Sequence, residues 1–155
     1  MFRSLSHQLF GSPTKHFEVR SLLVRFESKN SSFFSSLLTE LNASDMHSHI
    51  AQMLRPGTWG THVELLAAST YFQVPVYILK SSSTQQKWEV YHPLGPQDNF
   101  RYQLCPELVE NIEAEDFNHF ELLHSFGCHY DSITGNSTRP TIEETHVDCS
   151  HLVLD

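Results

Sequence analysis

Apolar residues recur at helical spacing in the first half of the chain and gather into short runs in the second half. Apolar side chains three or four positions apart share one face of a helix, which predicts helices in four segments: residues 1–10, 12–30, 31–41 and 44–54. A fifth helix is predicted over residues 61–72, because Thr61 and Glu64 have the spacing of a capping box. Gly11 is a suitable stop for the first helix.

Short apolar or alternating runs in the second half predict β-strands. Four such runs occupy residues 74–80, 87–93, 119–126 and 128–133. The last two runs are predicted to form a hairpin around Gly127, whereas residues 94–116 are expected to form a long irregular connection. Residues 135–155 are polar, as in a tail. The pattern predicts one α/β or α+β domain over residues 1–134, with a small mixed sheet packed by helices.

Charge and hydropathy exclude two classes of partner. Eighteen acidic and ten basic residues give a net charge of −8, so no basic stripe is available to displace counterions from a nucleic acid. No apolar run approaches the ~18 residues of a membrane span. The first ten residues lack the apolar core and the cleavage site of a secretory signal. Binding to nucleic acid or to membranes is therefore not expected.

Cysteine usage bears on the cellular compartment. The three cysteines, Cys105, Cys128 and Cys149, are unevenly spaced and form no Cys-x-x-Cys pair. Neither a zinc site nor a disulfide framework is indicated by them. This usage fits a reducing compartment, so a cytoplasmic location is expected, with the nucleus as an additional one.

A histidine and an aspartate stand two positions apart in the last predicted strand. His129 and Asp131 therefore share one face, where the carboxylate can orient the imidazole and favour its charged form. These are the base and the orienting group of a nucleophilic site. The structural alternative is a buried histidine held by a neighbouring carboxylate, which is common in protein cores.

No cysteine of the chain suits the role of nucleophile for this pair. Cys128 directly precedes His129, so its side chain points to the opposite face of the strand. Cys105 precedes Pro106 in the irregular connection, and Cys149 lies in the tail. Neither position is a helix N-terminus, which would lower the pKa of a thiol.

The other histidines indicate no metal site. His47 and His49 fall on different faces of the fourth predicted helix. His119, His124 and His129 recur every five residues, which alternates faces on a strand. No metal ion and no cofactor is therefore expected.

The start of the first predicted helix is unusual. The helix begins at Met1 without a capping residue before it. A free α-ammonium group would lie at the positive end of the helix dipole, which is unfavourable. The pattern favours a helix whose cap precedes Met1.

Three segments together resemble the ovarian-tumour (OTU) family of cysteine deubiquitinases. They are FRSLSHQLFGS, PGTWGTHVELLAASTYFQVPVYIL and GCHYDSI, which occur in the family's order within residues 1–134. The resemblance implies a papain-type fold and mechanism, in which a cysteine thiolate attacks the carbonyl group at the C-terminus of ubiquitin. It also implies that His129 is the general base, that Asp131 orients it, and that a monomer binds ubiquitin or polyubiquitin chains.

The family's Asp-Gly-Asn-Cys stretch, which carries the nucleophile and the oxyanion-hole loop, is absent from the chain. Met1 occupies the position after the cysteine or replaces the cysteine itself. Four interpretations follow: a truncated and inactive deubiquitinase domain, an active deubiquitinase whose first segment is missing from this sequence, a non-catalytic ubiquitin-binding module, or an unrelated α/β domain. The first is the expectation for the chain as it stands.

Overall fold

Helices come first along the chain and strands follow. The computed structural model describes residues 1–40, 45–80, 88–94, 107–109, 119–125 and 129–133. Its helices are α1 (Phe2–Phe10), α2 (His16–Lys29), α3 (Ser31–Glu40), α4 (Met46–Met53) and α5 (His62–Phe72), with a 3-10 turn at Pro13–Lys15. Its strands are β1 (Val76–Lys80), β2 (Trp88–Tyr91), β3 (Glu107–Val109), β4 (Phe120–Ser125) and β5 (His129–Ser132). This combination of helices and strands confirms the predicted α/β (α+β) class.

The five strands form one mixed sheet in the order β3–β2–β1–β4–β5. β1 lies at its centre, parallel to β4 with Val76 opposite Phe120 and antiparallel to β2. β4 and β5 are antiparallel neighbours, with Ser125 opposite His129, which confirms the predicted pairing of the last two strands. The turn predicted at Gly127 lies outside the described residues.

Local capping groups set several helix ends. α1 ends at Gly11, whose φ of 69° lies in the left-handed region and whose N–H donates to the carbonyl oxygen of His7. α4 begins after Asp45, whose carboxylate accepts hydrogen bonds from the N–H groups of His47 and Ser48. Both ends follow from the residue types that the sequence places there.

The second helix starts later than the sequence pattern predicts. Ser12 and Pro13 begin the 3-10 turn ahead of α2, and the Ser12 hydroxyl accepts a hydrogen bond from the N–H of Thr14. Phe17 lies in the first turn of α2 and is half-exposed. Its ring packs against His16, with 4.1 Å between the ring centres, and not in the core.

The hydrophobic core lies between α1, α2, α3, α5 and one face of the sheet. Its most deeply buried apolar side chains come from all of these elements and include Leu5, Leu23, Phe34, Leu65, Val76, Ile78, Phe120 and Leu122. Burial of such a side chain stabilises the fold by about 1.5–3 kcal/mol. Among the described helices, none is long and apolar enough to cross a membrane.

A short strand lies inside the segment that was expected to be irregular. β3 pairs antiparallel with β2 at the edge of the sheet, with Leu108 opposite Glu89. The expectation for residues 94–116 is therefore wrong at residues 107–109. Three residues give no alternating pattern of their own, so only the pairing partner defines this strand.

Candidate active site

The N-terminal end of α1 is buried against the loop that precedes α5. Met1 and Phe2 are almost fully buried. The Met1 side chain occupies the space beside Gly60, where an added Cβ atom would meet its sulfur and methyl group. Gly60 therefore leaves room for the Met1 side chain in its present position.

Hydrogen bonds from side chains hold α1 against the last two strands. Ser4 Oγ donates to the carbonyl oxygen of Tyr130 at 2.6 Å, and Ser132 Oγ donates to the carbonyl oxygen of Ser4 at 3.0 Å. One turn along α1, Gln8 Nε2 donates to the carbonyl oxygen of Glu121 at 2.6 Å, and Gln8 Oε1 accepts from the Glu121 N–H at 3.0 Å. Sequence reasoning did not single out these residues, although polar side chains four positions apart on a helix share a face. The bonds place the start of α1 beside β5.

The predicted base and its orienting residue lie on β5. His129 and Asp131 are two positions apart on this strand and so share one face, in register with Ser125 and Leu123 of β4. Asp131 is exposed, and Tyr130 between the two is buried. The structure describes the backbone of His129 and not its side chain, so the catalytic roles of both residues stay predictions.

The charge of Asp131 acts on the start of α1. Burial lowers the pKa of the Met1 α-amino group from 8.0 to about 5, while the Asp131 carboxylate raises this pKa and Arg20 lowers it. Because charge–charge interactions weaken with distance in salt solution, this coupling indicates that Asp131 lies near the N-terminus of α1. The Asp131 carboxylate thus lies on the side of β5 that is near the start of α1.

The remaining candidates from the sequence have other partners or lie elsewhere. His119 Nε2 is 2.7 Å from Oε1 of Glu121, and the ring of His124 stacks on Tyr130 with 4.5 Å between ring centres. All three cysteines lie outside the described residues: Cys105, Cys128 and Cys149.

Extending the chain before Met1 by Asp-Gly-Asn-Cys should raise its midpoint of thermal unfolding by a few degrees. No side chain caps α1 at Met1. A cap contributes about 1 kcal/mol, and moving the ammonium group away from the helix dipole contributes about 0.3–1 kcal/mol. A gain of ~1 kcal/mol moves the midpoint of a domain of this size by roughly 2–8 °C.

A tetra-alanine extension is the matched control, because it moves the ammonium group without adding polar capping side chains. The unextended chain should also lose stability as the pH falls from 8 to about 5, since in this window the unfolded chain binds a proton at Met1 and the folded chain does not. Both extensions should remove that dependence. An unchanged midpoint and pH profile would show that the end of α1 is frayed.

A second set of ionisable side chains is buried between α2, α4 and α5. His49 Nε2 lies 2.7 Å from Oε1 of Glu64 and 3.5 Å from Oε2 of Glu27, and the three side chains are at most 6% exposed. Burial lowers the pKa of His49, but the contacts with both carboxylates outweigh burial and raise it to about 9. Burial raises the pKa of Glu27 to about 7, against the contact with His49. These shifts favour a charged imidazole at His49 and a proton on Glu27 at higher pH than is usual for a glutamate.

Sequence spacing alone could not reveal this cluster, because its members come from three helices. His47 and His49 do lie on different faces of α4, and His49 is the buried one. One feature of the sequence does indicate a buried acidic group: Glu27 follows the apolar Leu23 by four positions, so both lie on the same face of α2. A carboxylate on a buried helix face calls for a partner from another element.

The carboxylate of Glu64 contacts His49 with one oxygen and caps the start of α5 with the other. The predicted capping box is confirmed, since Thr61 Oγ1 accepts from the Val63 N–H and Glu64 Oε2 accepts from the backbone N–H of Thr61. The Thr61 hydroxyl also contacts Oε2 of Glu64, at 2.8 Å. The other carboxylate oxygen, Oε1, is left to face His49.

An open cleft of about 1050 Å³ lies beside this cluster. α4, the loop that follows it and the start of α5 line the cleft, and His49 is part of its wall. Arg20 holds the loop by donating to the carbonyl oxygens of Met53 at 2.8 Å and Thr58 at 2.7 Å. Trp59, which is half-exposed, also lines the cleft.

A family model described as OTU-like cysteine protease matches residues 1–120. The chain belongs to this family, which confirms the resemblance seen in the sequence. His129 and Asp131 lie beyond the matched range.

Similar proteins agree with the family and the fold. The chain is 34% identical over 80 residues to the Arabidopsis thaliana protein named ovarian tumor domain-containing deubiquitinating enzyme 9. The aligned residues make up 52% of this chain and 22% of that protein. The chain thus spans about a fifth of the length of this curated relative.

Among solved structures, an OTU deubiquitinase from Wolbachia pipientis wMel bound to ubiquitin is similar with a TM-score of 0.62 at 14% identity, over 86% of this chain and 85% of that one. The OTU domain of OTUD1 gives a TM-score of 0.60 at 20% identity, over 86% of this chain and 77% of that one. At these identities the likeness shows the fold, and it confirms the predicted OTU-like fold.

Proposed function

We propose that this domain hydrolyses bonds to the C-terminus of ubiquitin when a nucleophilic cysteine stands at the N-terminus of α1, with His129 as general base and Asp131 as its orienting residue. The observation that carries the proposal is the attachment of α1 to β5. Ser4 and Ser132 hydrogen-bond across these two elements, so a thiol just before Met1 would lie beside the strand that carries the base.

The proposed chemistry uses the local electrostatics of this site. The N-terminus of α1 favours a thiolate through the helix dipole, and an imidazolium at His129 pairs with that thiolate. Asp131 favours the imidazolium and fixes its tautomer. The thiolate attacks the carbonyl carbon, His129 then protonates the leaving amine, and water activated by His129 cleaves the thioester.

Ubiquitin or a polyubiquitin chain is the proposed partner, bound by a monomer. The support is family membership together with the Wolbachia relative, whose structure is described as bound to ubiquitin. The net charge of −8 is compatible with a basic protein surface. A reducing cytoplasmic setting would keep the nucleophilic thiol reduced.

A non-catalytic ubiquitin-binding module is the second candidate. A polypeptide of these 155 residues holds the proposed base and has no cysteine at the start of α1, so its binding to ubiquitin can be measured separately from turnover.

We expect the 155-residue polypeptide to leave a ubiquitin C-terminal reporter uncleaved and to resist labelling by a thiol-directed ubiquitin probe. It should still bind ubiquitin, which fluorescence polarisation of labelled ubiquitin would measure. Covalent capture of the probe at a cysteine, located by mass spectrometry, would contradict the assignment of the nucleophile position. Absence of ubiquitin binding by folded protein would count against both candidate functions.

A further inference from the structure

Two carboxylates and an imidazole converge in the interior between α2, α4 and α5. The potential ligand atoms of Glu27, His49 and Glu64 all lie within 4.8 Å of one another. All three residues are buried, and each comes from a different helix. Such a convergence fixes the relative positions of α2, α4 and α5.

The polar atoms in this cluster are poorly satisfied by the protein itself. Among the described residues neither carboxylate oxygen of Glu27 has a hydrogen-bond partner, although the side chain is fully buried, and the contact of its Oε2 with His49 is a 3.5 Å ion pair. His49 Nε2 and Glu64 Oε1 form an ion pair at 2.7 Å. A buried carboxylate without hydrogen bonds is costly, so a ligand that takes its lone pairs would stabilise the fold.

We propose that Glu27, His49 and Glu64 bind one divalent transition-metal ion, and that zinc is the ion that suits them best. Zinc accepts imidazole nitrogen and carboxylate oxygen, whereas Ca²⁺ and Mg²⁺ prefer oxygen ligands alone. Ligands about 2.0–2.2 Å from a tetrahedral zinc ion lie about 3.3 Å apart. The contacts of His49 at 2.7 Å and 3.5 Å bracket this separation.

The surroundings supply access and an outer shell of hydrogen bonds. His49 and Thr61 line the open cleft, so the cleft is the side from which an ion and a water molecule as fourth ligand would approach. The hydroxyl and N–H groups of Thr61 donate to Oε2 of Glu64. These two bonds orient the other carboxylate oxygen, Oε1, towards His49. Two carboxylates would neutralise the two charges of the ion in this buried place.

The test is a titration of the metal-free 155-residue protein with zinc, read by calorimetry and by thermal unfolding. One equivalent should bind and raise the unfolding midpoint. Glu27→Gln and His49→Gln should each weaken this binding by about 100-fold or more. Glu18→Gln on α2 and His47→Gln on α4 are matched controls at exposed positions and should leave it unchanged.

Cobalt(II) in place of zinc distinguishes this site from binding at the cysteines or at surface histidines. The proposed site should show visible d–d absorption without the near-ultraviolet band that sulfur-to-cobalt charge transfer produces. Glu27→Gln keeps the size of the side chain and removes a buried charge, so its fold is checked by circular dichroism. No zinc binding, equal affinity in the folded Glu27→Gln variant, or a thiolate band would each overturn the proposal.

Discussion

In a chain extended before Met1 by Asp-Gly-Asn-Cys, His129→Ala should lower the turnover of a ubiquitin C-terminal reporter by about 10²–10⁴-fold, down to background. The extended parent should be active, because the hydrogen bonds of Ser4 already hold α1 beside β5. Asp131→Ala should reduce turnover less than His129→Ala does, since it removes the orienting carboxylate and leaves the base.

Rates in this comparison are normalised by the folded fraction of each protein. His47→Ala, an exposed histidine on α4, is the matched control and should retain the parent's activity. An extension that ends in serine instead of cysteine should give no thiol-dependent turnover. Full activity of the His129→Ala protein would refute the assignment of the base, and a folded but inactive extended parent would refute the proposed function.

Raising the pH from 6.5 to about 9 should lower the free energy of unfolding by up to about 3 kcal/mol through His49. The folded chain keeps the His49 proton up to about pH 9, whereas the unfolded chain loses it near 6.5. The folded state therefore binds more protons in this window, and stability is lost as the pH rises. Glu27 acts in the same direction at lower pH, between 4.5 and about 7.

Denaturant unfolding of the extended chain measures this effect, because extension removes the opposing contribution of the Met1 α-amino group below pH 8. A chelator excludes metal binding during the measurement. Glu27→Gln should reduce the loss of unfolding free energy between pH 6.5 and 9, since it removes one of the two carboxylates that raise the pKa of His49. Glu18→Gln should leave it unchanged, and a stability that stays level from pH 6.5 to 9 would show that His49 is not charged in the fold.

Features with a local cause were predictable from the sequence. The start of α5 follows from Thr61 and Glu64, and the end of α1 follows from Gly11, because capping groups act within one turn of the helix. His129 and Asp131 lie on the same face of β5 because side chains alternate between the two faces of a strand. The motifs that carried the family resemblance lie in these same elements.

Features that depend on contacts between distant segments were not predictable in this way. β3 is defined by its pairing with β2, in which Leu108 lies opposite Glu89. Its three residues have no alternating hydrophobic pattern that would have predicted a strand. Glu27 and His49 meet only because α2 and α4 pack together, and Gln8 finds Glu121 only after α1 docks on the sheet. Periodicity shows which side of an element is buried but does not identify its partner.

The bond from Ser4 to the carbonyl oxygen of Tyr130 joins residues that are 126 positions apart. Contacts of such long range form slowly, because the chain between them must first be ordered. On the ribosome, α1 emerges early and can make this contact only after β5, the last of the described strands, has emerged. Under the proposed function, a nucleophile at the start of α1 would therefore meet the proposed base only after β5 has been synthesised, and a nascent chain without β5 would be inactive towards ubiquitin.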